Sequence, residues 1–274
     1  MRFAICNELF EGWSLEDSFR FIRDAGYDGV ELAPYTLAPT ITELTPESRL
    51  RIRQRAEQQG LKIVGLHWLL ARVPGVQLNS PDAAIRAATL SYLVELIRAC
   101  ADLGGSILVF GSPQQRNIPA GVETGAAWEW SRDTFTRVAA SAGQHGVTLC
   151  LEPLAPTETN LFSTAAETAR MVREIDHPAL RLLLDVKAMC SEQQPATDLI
   201  RSYGPQLAHF HANDCNRREP GSGEVDFVPI FHALQDAHYD DWVSIEVFDF
   251  KPDPATIASR GIDYLRRSLA AARG

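Results

Sequence analysis

The sequence lacks the features that mark membrane, secreted and nucleic-acid-binding proteins. No apolar run approaches the roughly 18 residues of a membrane-spanning helix, and the first residues become polar too soon for a signal peptide. Positive charge is scarce, because 26 Lys and Arg stand against 35 Asp and Glu and the formal net charge is −9. Phosphate backbones and anionic membranes attract basic surfaces. We therefore expect a cytoplasmic protein that binds neither nucleic acid nor membrane.

Closely spaced cysteine pairs are also missing. The five cysteines are odd in number and scattered, with no Cys-x-x-Cys spacing; they are Cys6, Cys100, Cys150, Cys190 and Cys215. Disulfide frameworks and structural zinc sites use even, regularly spaced sets. The pattern predicts reduced thiols, which agrees with a cytoplasmic location.

A short apolar run followed by an amphipathic helix recurs along the whole chain. Eight runs read as strands, beginning near residues 3, 29, 62, 106, 147, 182, 207 and 242. Capping signals such as Ser14, Thr45-Pro46 and Thr164 with Glu167 open the intervening helices. Apolar strands separated by helices are typical of a parallel sheet covered by helices. Eight units at this length predict a (β/α)₈ TIM barrel that forms a single domain over residues 1–274.

A doubly wound open sheet is the competing topology. Such a sheet usually carries a G-x-G-x-x-G turn after its first strand, and the first predicted strand here is followed by Asn7-Glu8-Leu9 instead. Eight repeated units also suit a closed barrel better than an open sheet.

Metal-binding side chains follow four consecutive predicted strands. These side chains are Glu152, Asp185, His211 and Glu246. Taken singly, Asp185 could be a turn cap and His211 a buried core imidazole. In a TIM barrel, however, the carboxyl ends of all strands meet at one face. Three carboxylates brought together there would repel one another without a cation. The set predicts one divalent ion: Mn²⁺ or Mg²⁺, and also Co²⁺, Fe²⁺ or Zn²⁺.

The chain resembles the xylose isomerase-like TIM barrel superfamily over essentially its whole length, and most of all the branch of D-tagatose and D-psicose 3-epimerases. The segments that carry the resemblance are Gly-Val-Glu-Leu at 29–32, Leu-Glu-Pro-Leu at 151–154, Leu-Asp at 184–185, His-Phe-His-Ala-Asn-Asp at 209–214, Pro-Gly-Ser-Gly-Glu-Val-Asp-Phe at 220–227 and Ile-Glu at 245–246. These motifs are specific for the superfamily and carry little information about the substrate.

The resemblance implies roles for particular residues. The four strand-end residues would hold one Mn²⁺-like ion, and Glu152 and Glu246 would also act as the acid/base pair on the two faces of the substrate carbon. Glu158 and Arg217 would contact substrate hydroxyls. The resemblance also implies a homo-oligomer, either a dimer or a tetramer. Epimerisation would pass through an enediolate stabilised by the ion, and aldose–ketose isomerisation needs the same groups.

The sequence departs from that branch just after the sixth strand. The branch carries a histidine three positions after the strand-six aspartate, where this chain has Ala188, with Lys187 beside it. Lys187 is a candidate for binding an oxyanion or an acidic substrate, with a rim ion pair as the alternative. His67 at the end of strand three is a further candidate for substrate contact, with core packing as the alternative. These differences leave room for a 3-keto-glycoside, an inosose or another polyol-derived ketone.

Three other functions stay open. A lyase or hydrolase would use the same metal and bases to cleave a 3-keto-glycoside by β-elimination. An abasic-site endonuclease belongs to the superfamily but needs three zinc ions, and Gly111 and Ala188 stand where further histidines would be required. A non-catalytic sugar-binding barrel would keep the pocket without turnover. The sequence favours an isomerase with a carbohydrate substrate.

Overall fold

A computed structural model describes all residues, 1–274. Eight parallel strands close into a barrel in chain order, with the last strand paired to the first. The strands are β1 (Arg2–Cys6), β2 (Gly29–Leu32), β3 (Lys62–Leu66), β4 (Ile107–Phe110), β5 (Thr148–Leu151), β6 (Leu180–Asp185), β7 (Leu207–Ala212) and β8 (Trp242–Ile245). The predicted (β/α)₈ barrel is confirmed.

Helices follow every strand. They are α1 (Leu15–Ala25), α2 (Pro46–Gln58), α3 (Ala83–Asp102), α4 (Pro113–Arg116), α5 (Thr124–Gln144), α6 (Ala165–Ile175), α7 (Val186–Met189), α8 (Ala196–Tyr203), α9 (Phe227–Asp236) and α10 (Pro254–Ala271). Short 3₁₀ turns lie at Asn7–Phe10, Pro34–Thr36, Ile41–Glu43 and Gly204–Gln206. The single-turn helices α4 and α7, which follow β4 and β6, were not predicted. None of the helices is both long and apolar enough to cross a membrane.

The long helices begin at the predicted capping residues. Ser14 Oγ accepts a hydrogen bond from the backbone N–H of Asp17 at 3.0 Å, and Thr164 Oγ1 accepts one from Glu167 at 3.1 Å. These oxygens satisfy N–H groups that have no partner inside the helix. Gly26 ends α1 with a φ of 97°, a left-handed conformation that suits glycine. Local sequence signals therefore set where strand passes into helix.

Apolar side chains fill two separate regions. A cluster of 67 buried residues lies mainly between the sheet and the helices. A second cluster packs inside the barrel and consists of Ala4, Val64, Ile107, Val109, Cys150, Leu183 and Trp242. Side chains alternate along a strand, so the residue two positions after an interior residue also points inward. Cys150 and Leu183 thereby direct Glu152 and Asp185 toward the mouth of the barrel.

The prediction that all cysteines are reduced thiols is wrong for two of them. Cys190 and Cys215 form a disulfide with their Cα atoms 5.8 Å apart, while the other three cysteines are free and buried. The bonded pair is separated by 25 residues. Only the parallel pairing of β6 with β7 brings the segments after these strands together. The bridge therefore joins the two segments that follow Asp185 and His211.

We expect the double variant Cys190→Ser/Cys215→Ser to lose about 3 kcal/mol of unfolding free energy, because the bridge restricts the unfolded chain. Chemical denaturation without reductant measures this loss. Wild-type protein treated with dithiothreitol should match the double variant, and the double variant should not respond to dithiothreitol. Equal stability of the oxidised wild type and the double variant would contradict the expectation.

Candidate metal and substrate site

The structure brings the four predicted metal ligands together at the C-terminal end of the barrel. One ligand atom from each of Glu152, Asp185, His211 and Glu246 lies within 4.8 Å of the other three. His211 Nδ1 is 3.0 Å from Oε2 of Glu246 and 3.8 Å from Oε1 of Glu152. All four residues are buried. We call these four residues the primary ligand set.

A buried carboxylate on β2 orients His211. Glu31 accepts a hydrogen bond from Nε2 of His211 at 3.1 Å and another from Nε2 of His209 at 2.7 Å. Because an ionised carboxylate can only accept, Nε2 of His211 carries a proton, and Nδ1 faces the primary ligand set. Ligating histidines commonly have such a partner on the other ring nitrogen. Burial alone would raise the pKa of Glu31, but His209 and His211 outweigh burial and hold it well below its usual value.

Asp185 is held by Asn213 and by the first turn of α7. Asn213 Nδ2 donates to Oδ2 of Asp185 at 2.7 Å, and the backbone N–H of Ala188 donates to Oδ1 at 2.8 Å. The backbone N–H of Lys187 in turn donates to Oδ1 of Asn213 at 2.7 Å. Both carboxylate oxygens of Asp185 are thereby positioned, and each keeps lone pairs for a cation.

Two features of the segment after β4 determine the position of Glu152. Gly111 leaves room for the carboxylate, because a Cβ at this position would lie 1.7 Å from Oε2 of Glu152 and would displace it. Arg116 is fully buried and donates hydrogen bonds of 2.6 Å to the backbone carbonyls of both Glu152 and Phe110. Burial lowers the pKa of Arg116 to about 10, so it keeps its positive charge at neutral pH. Neither contribution was predicted from the sequence.

The primary ligand set is short of positive charge, and this favours a cation. Burial and the charge of Glu246 raise the pKa of Glu152 to about 8. Burial alone would lower the pKa of His211, but the carboxylates of Glu31 and Glu246 outweigh burial and raise it well above its usual value. Protons thus offset carboxylate charge at this site. Three carboxylate donors and one imidazole nitrogen fit a divalent ion in their place.

A pocket opens beside the primary ligand set. Its lining residues are His67, Trp68, Val109, Gly111, Pro113, Glu152, Leu154, Glu158, Lys187, Glu246 and Phe248. The ring centroids of Trp68 and Phe248 lie 6.3 Å apart and form an aromatic wall. An aromatic wall that faces several converging polar groups is suited to a small polar molecule.

Lys187 and Glu158 form an ion pair in the pocket wall. Lys187 Nζ is 2.8 and 3.0 Å from the two carboxylate oxygens of Glu158, and it lies 4.2 Å from the ring centroid of Phe248. Burial would lower the pKa of Lys187, but the charges of Asp185 and Glu158 outweigh burial and raise it. The side chain therefore presents an ammonium group to the pocket.

The other two predicted substrate contacts differ in their placement. His67 lines the pocket, and its Nε2 is 2.6 Å from Oε2 of Glu8. Glu8 was not predicted as a site residue, although it follows β1 much as the ligands follow their strands. Arg217 is exposed and does not line the pocket; its guanidinium carbon lies 5.5 Å from the ring centroid of Phe248. Its contact with substrate hydroxyls stays a prediction.

Comparison with known proteins identifies the family of the chain. The xylose isomerase-like TIM barrel family matches residues 19–268, and the chain belongs to this family.

Several relatives are epimerases. D-psicose 3-epimerase of Ruminiclostridium cellulolyticum is 31% identical over 176 residues, which are 62% of this chain and 59% of that protein. D-psicose 3-epimerase of Agrobacterium fabrum is 28% identical over 86% of this chain and 82% of its own length. 3-Dehydro-D-guloside 4-epimerase of Escherichia coli is 23% identical over 97% and 99% of the two chains. The predicted resemblance to the 3-epimerase branch is confirmed. Epimerases are isomerases, so these names agree with the predicted enzyme class.

A solved structure shows the same fold over the full length. The crystal structure of a D-psicose 3-epimerase in the presence of D-fructose superposes with a TM-score of 0.85 at 24% identity. The superposition covers 98% of this chain and 99% of the other.

We expect Gly111→Ala to weaken metal binding at least tenfold, because the added methyl group displaces Oε2 of Glu152 and disturbed ligand orientation typically costs about 10–100-fold in affinity. Titration of metal-depleted protein with Mn²⁺ measures the affinity, and circular dichroism checks the fold. Gly125→Ala in α5 is the matched control, because nothing lies within 4 Å of a Cβ there. Wild-type affinity in Gly111→Ala would contradict the expectation that the present position of Glu152 is needed for metal binding.

Proposed function

We propose that the protein is a divalent-metal-dependent epimerase of a ketose or a related keto-sugar. The observation that supports this most is that Glu152 and Glu246 both line the pocket and both belong to the primary ligand set. The names of the relatives point to the same reaction class. A divalent ion, with Mn²⁺ our first choice over Mg²⁺, Co²⁺, Fe²⁺ or Zn²⁺, would stabilise negative charge on the substrate oxygens.

In this proposal the two glutamates move the proton. One carboxylate removes a proton from the carbon beside the substrate carbonyl, and the other returns a proton to the opposite face of the resulting enediolate. Glu152 follows β5 and Glu246 follows β8, so they enter the pocket from different sides of the barrel. An aldose–ketose isomerisation would use the same residues, with the proton returned to the neighbouring carbon.

The remaining pocket residues would bind and orient the sugar. Lys187 and Glu158 offer a donor and an acceptor for hydroxyl groups, and His67 offers a further polar contact. Trp68 and Phe248 present ring faces and edges to the C–H surface of a sugar ring. Arg217 would reach a substrate hydroxyl only if its side chain turned from the surface toward the pocket.

We also propose a homo-oligomer, either a dimer or a tetramer, a small carbohydrate as substrate, and no nucleic-acid partner. The net charge of −9 supports the exclusion of nucleic acid. A cytoplasmic location is proposed from the sequence, and the Cys190–Cys215 disulfide is the one observation against it, because cytosolic thiol pools reduce such bridges.

Replacing Glu246 with Gln should abolish turnover and leave the fold intact, because the amide keeps the size of the side chain but cannot accept the proton. A panel of ketoses in D₂O, followed by NMR, measures both epimer formation and deuterium uptake at the substrate carbon. We expect a rate loss of at least about 100-fold.

Glu57→Gln on the exposed face of α2 is the matched control for this experiment and should behave as wild type. If metal-loaded wild type exchanges no proton on any sugar of the panel, the catalytic proposal fails. A non-catalytic sugar-binding barrel would then be the better description.

Cleavage of a 3-keto-glycoside by β-elimination is the second candidate function. Proton removal beside the carbonyl would be the same, but the glycosidic oxygen would then leave instead of a proton returning. Ala188 and Lys187 favour this candidate, because the family histidine is absent and Lys187 places an ammonium group beside its position, where it could donate to a departing oxygen. A 3-keto-glycoside separates the candidates: a released alcohol indicates a lyase, and a C4 epimer indicates an epimerase.

An abasic-site endonuclease is less supported, since Gly111 and Ala188 offer no zinc ligand.

Lys187→Met should lower kcat/KM at least about tenfold on whichever substrate the enzyme accepts, because the change removes a charged donor and leaves Glu158 unpaired. Steady-state kinetics on the best substrate measures the effect. The control is Lys62→Met, an exposed lysine at the first residue of β3, at the opposite end of the barrel. Unchanged kcat and KM would assign Lys187 a purely structural ion pair at the rim.

A further inference from the structure

We propose a second cation site at the mouth of the barrel, formed by Cys6, Glu8, His67 and Glu246. One ligand atom from each residue lies within 4.8 Å of the other three, and all four residues are buried. The four residues come from separate elements: the end of β1, the 3₁₀ turn after it, and the segments after β3 and β8. The proposed reaction uses neither Cys6 nor Glu8. We call these residues the thiolate ligand set.

Unsatisfied polar atoms support a ligand at this position. Oε1 of Glu8 and Nδ1 of His67 have no hydrogen-bond partner, although Glu8 is 3% and His67 0% exposed. A buried polar atom left without a partner costs about 1–3 kcal/mol, and native proteins contain few of them. A cation bound to Oε1 of Glu8 would use a lone pair that the protein leaves unused, and a cation bound to His67 would displace a proton from its ring. The 2.6 Å contact between the two side chains would then be exchanged for bonds to the ion.

The negative charge of the carboxylates at the mouth of the barrel exceeds what one divalent ion can offset. Five buried carboxylates lie there: Glu8, Glu31, Glu152, Asp185 and Glu246. Lys187 is already paired with Glu158. His209 and His211 compensate Glu31, which leaves four of these carboxylates. A single divalent ion in the primary ligand set offsets two of the remaining negative charges, and a second divalent ion would offset the other two. Buried charges without such compensation are costly.

The thiolate ligand set favours a different class of ion from the primary ligand set. Cys6 supplies sulfur and His67 supplies nitrogen, and these donors prefer Zn²⁺, Co²⁺ or Fe²⁺ over Mg²⁺ or Mn²⁺. Glu246 belongs to both sets, so its carboxylate would link the two ions. Because His67 also lines the pocket, the second ion would place positive charge at the substrate-facing wall.

Titration of metal-depleted wild type with Co²⁺ tests the site. We expect elemental analysis to find two equivalents of Co²⁺ per chain after free metal is removed. We also expect a thiolate-to-cobalt charge-transfer band in the near ultraviolet. Cys6→Ser should abolish the band and reduce the stoichiometry from two to one. Cys150→Ser is the matched control, because Cys150 is a buried free thiol outside both ligand sets.

Asp185→Asn separates this proposal from the proposed function. The change removes a ligand of the primary set only, so it should cost one equivalent and keep the charge-transfer band. A wild-type stoichiometry of one that is lost in Asp185→Asn and kept in Cys6→Ser would overturn the second site and leave the proposed function standing. One equivalent with a thiolate band that Asp185→Asn does not change would instead overturn the primary site.

Circular dichroism and thermal unfolding establish that each variant folds. If Cys6→Ser does not fold, the stoichiometry and the band of the wild type decide the question without any variant. A wild type that binds one equivalent and shows no thiolate band contradicts the second site directly.

Discussion

The burial of several carboxylates at one end of the barrel is the constraint on which the site depends. Glu152, Asp185 and Glu246 lie in one ligand set, with Glu31 directly beside His211. Each buried charge costs several kcal/mol unless an opposite charge or hydrogen-bond donors compensate it. Histidines compensate Glu31 from one side, and a cation would compensate the others. The groups that make this end of the barrel costly to fold are therefore the groups that can bind a metal and transfer protons.

The sequence predicts the fold well because its signals are local. The strands Gly29–Leu32 and Trp242–Ile245 have the predicted bounds, since apolar runs and capping residues act over a few positions. The four primary ligands were also predictable, because every strand of a parallel barrel ends at the same face. Local sequence signals do not predict which segments face each other across the mouth of the barrel. The Glu8–His67 contact and the Arg116 hydrogen bonds depend on that arrangement.

The turn after β6 contributes to the ligand set and to the pocket wall through different groups. The backbone N–H of Ala188 holds Asp185, so this contact does not depend on the side chain at position 188. The neighbouring Lys187 reaches Glu158 and places a charged pair in the pocket wall. In the proposed function, metal binding and substrate selection would therefore rest on different atoms of the same short helix, and selection could diverge while the chemistry is retained.

The disulfide between Cys190 and Cys215 changes the connectivity of the chain around the site. Asp185 precedes Cys190 by five residues, and His211 precedes Cys215 by four, so the covalent path between these two ligands through the bridge is far shorter than the path along the backbone. When the barrel unfolds, the two ligands stay tethered, and their effective concentration for each other remains high. The oxidised unfolded chain thus keeps part of a chelating site. If the oxidised unfolded chain binds metal, that binding stabilises the unfolded state. Metal then adds less to the free energy of unfolding of the native barrel.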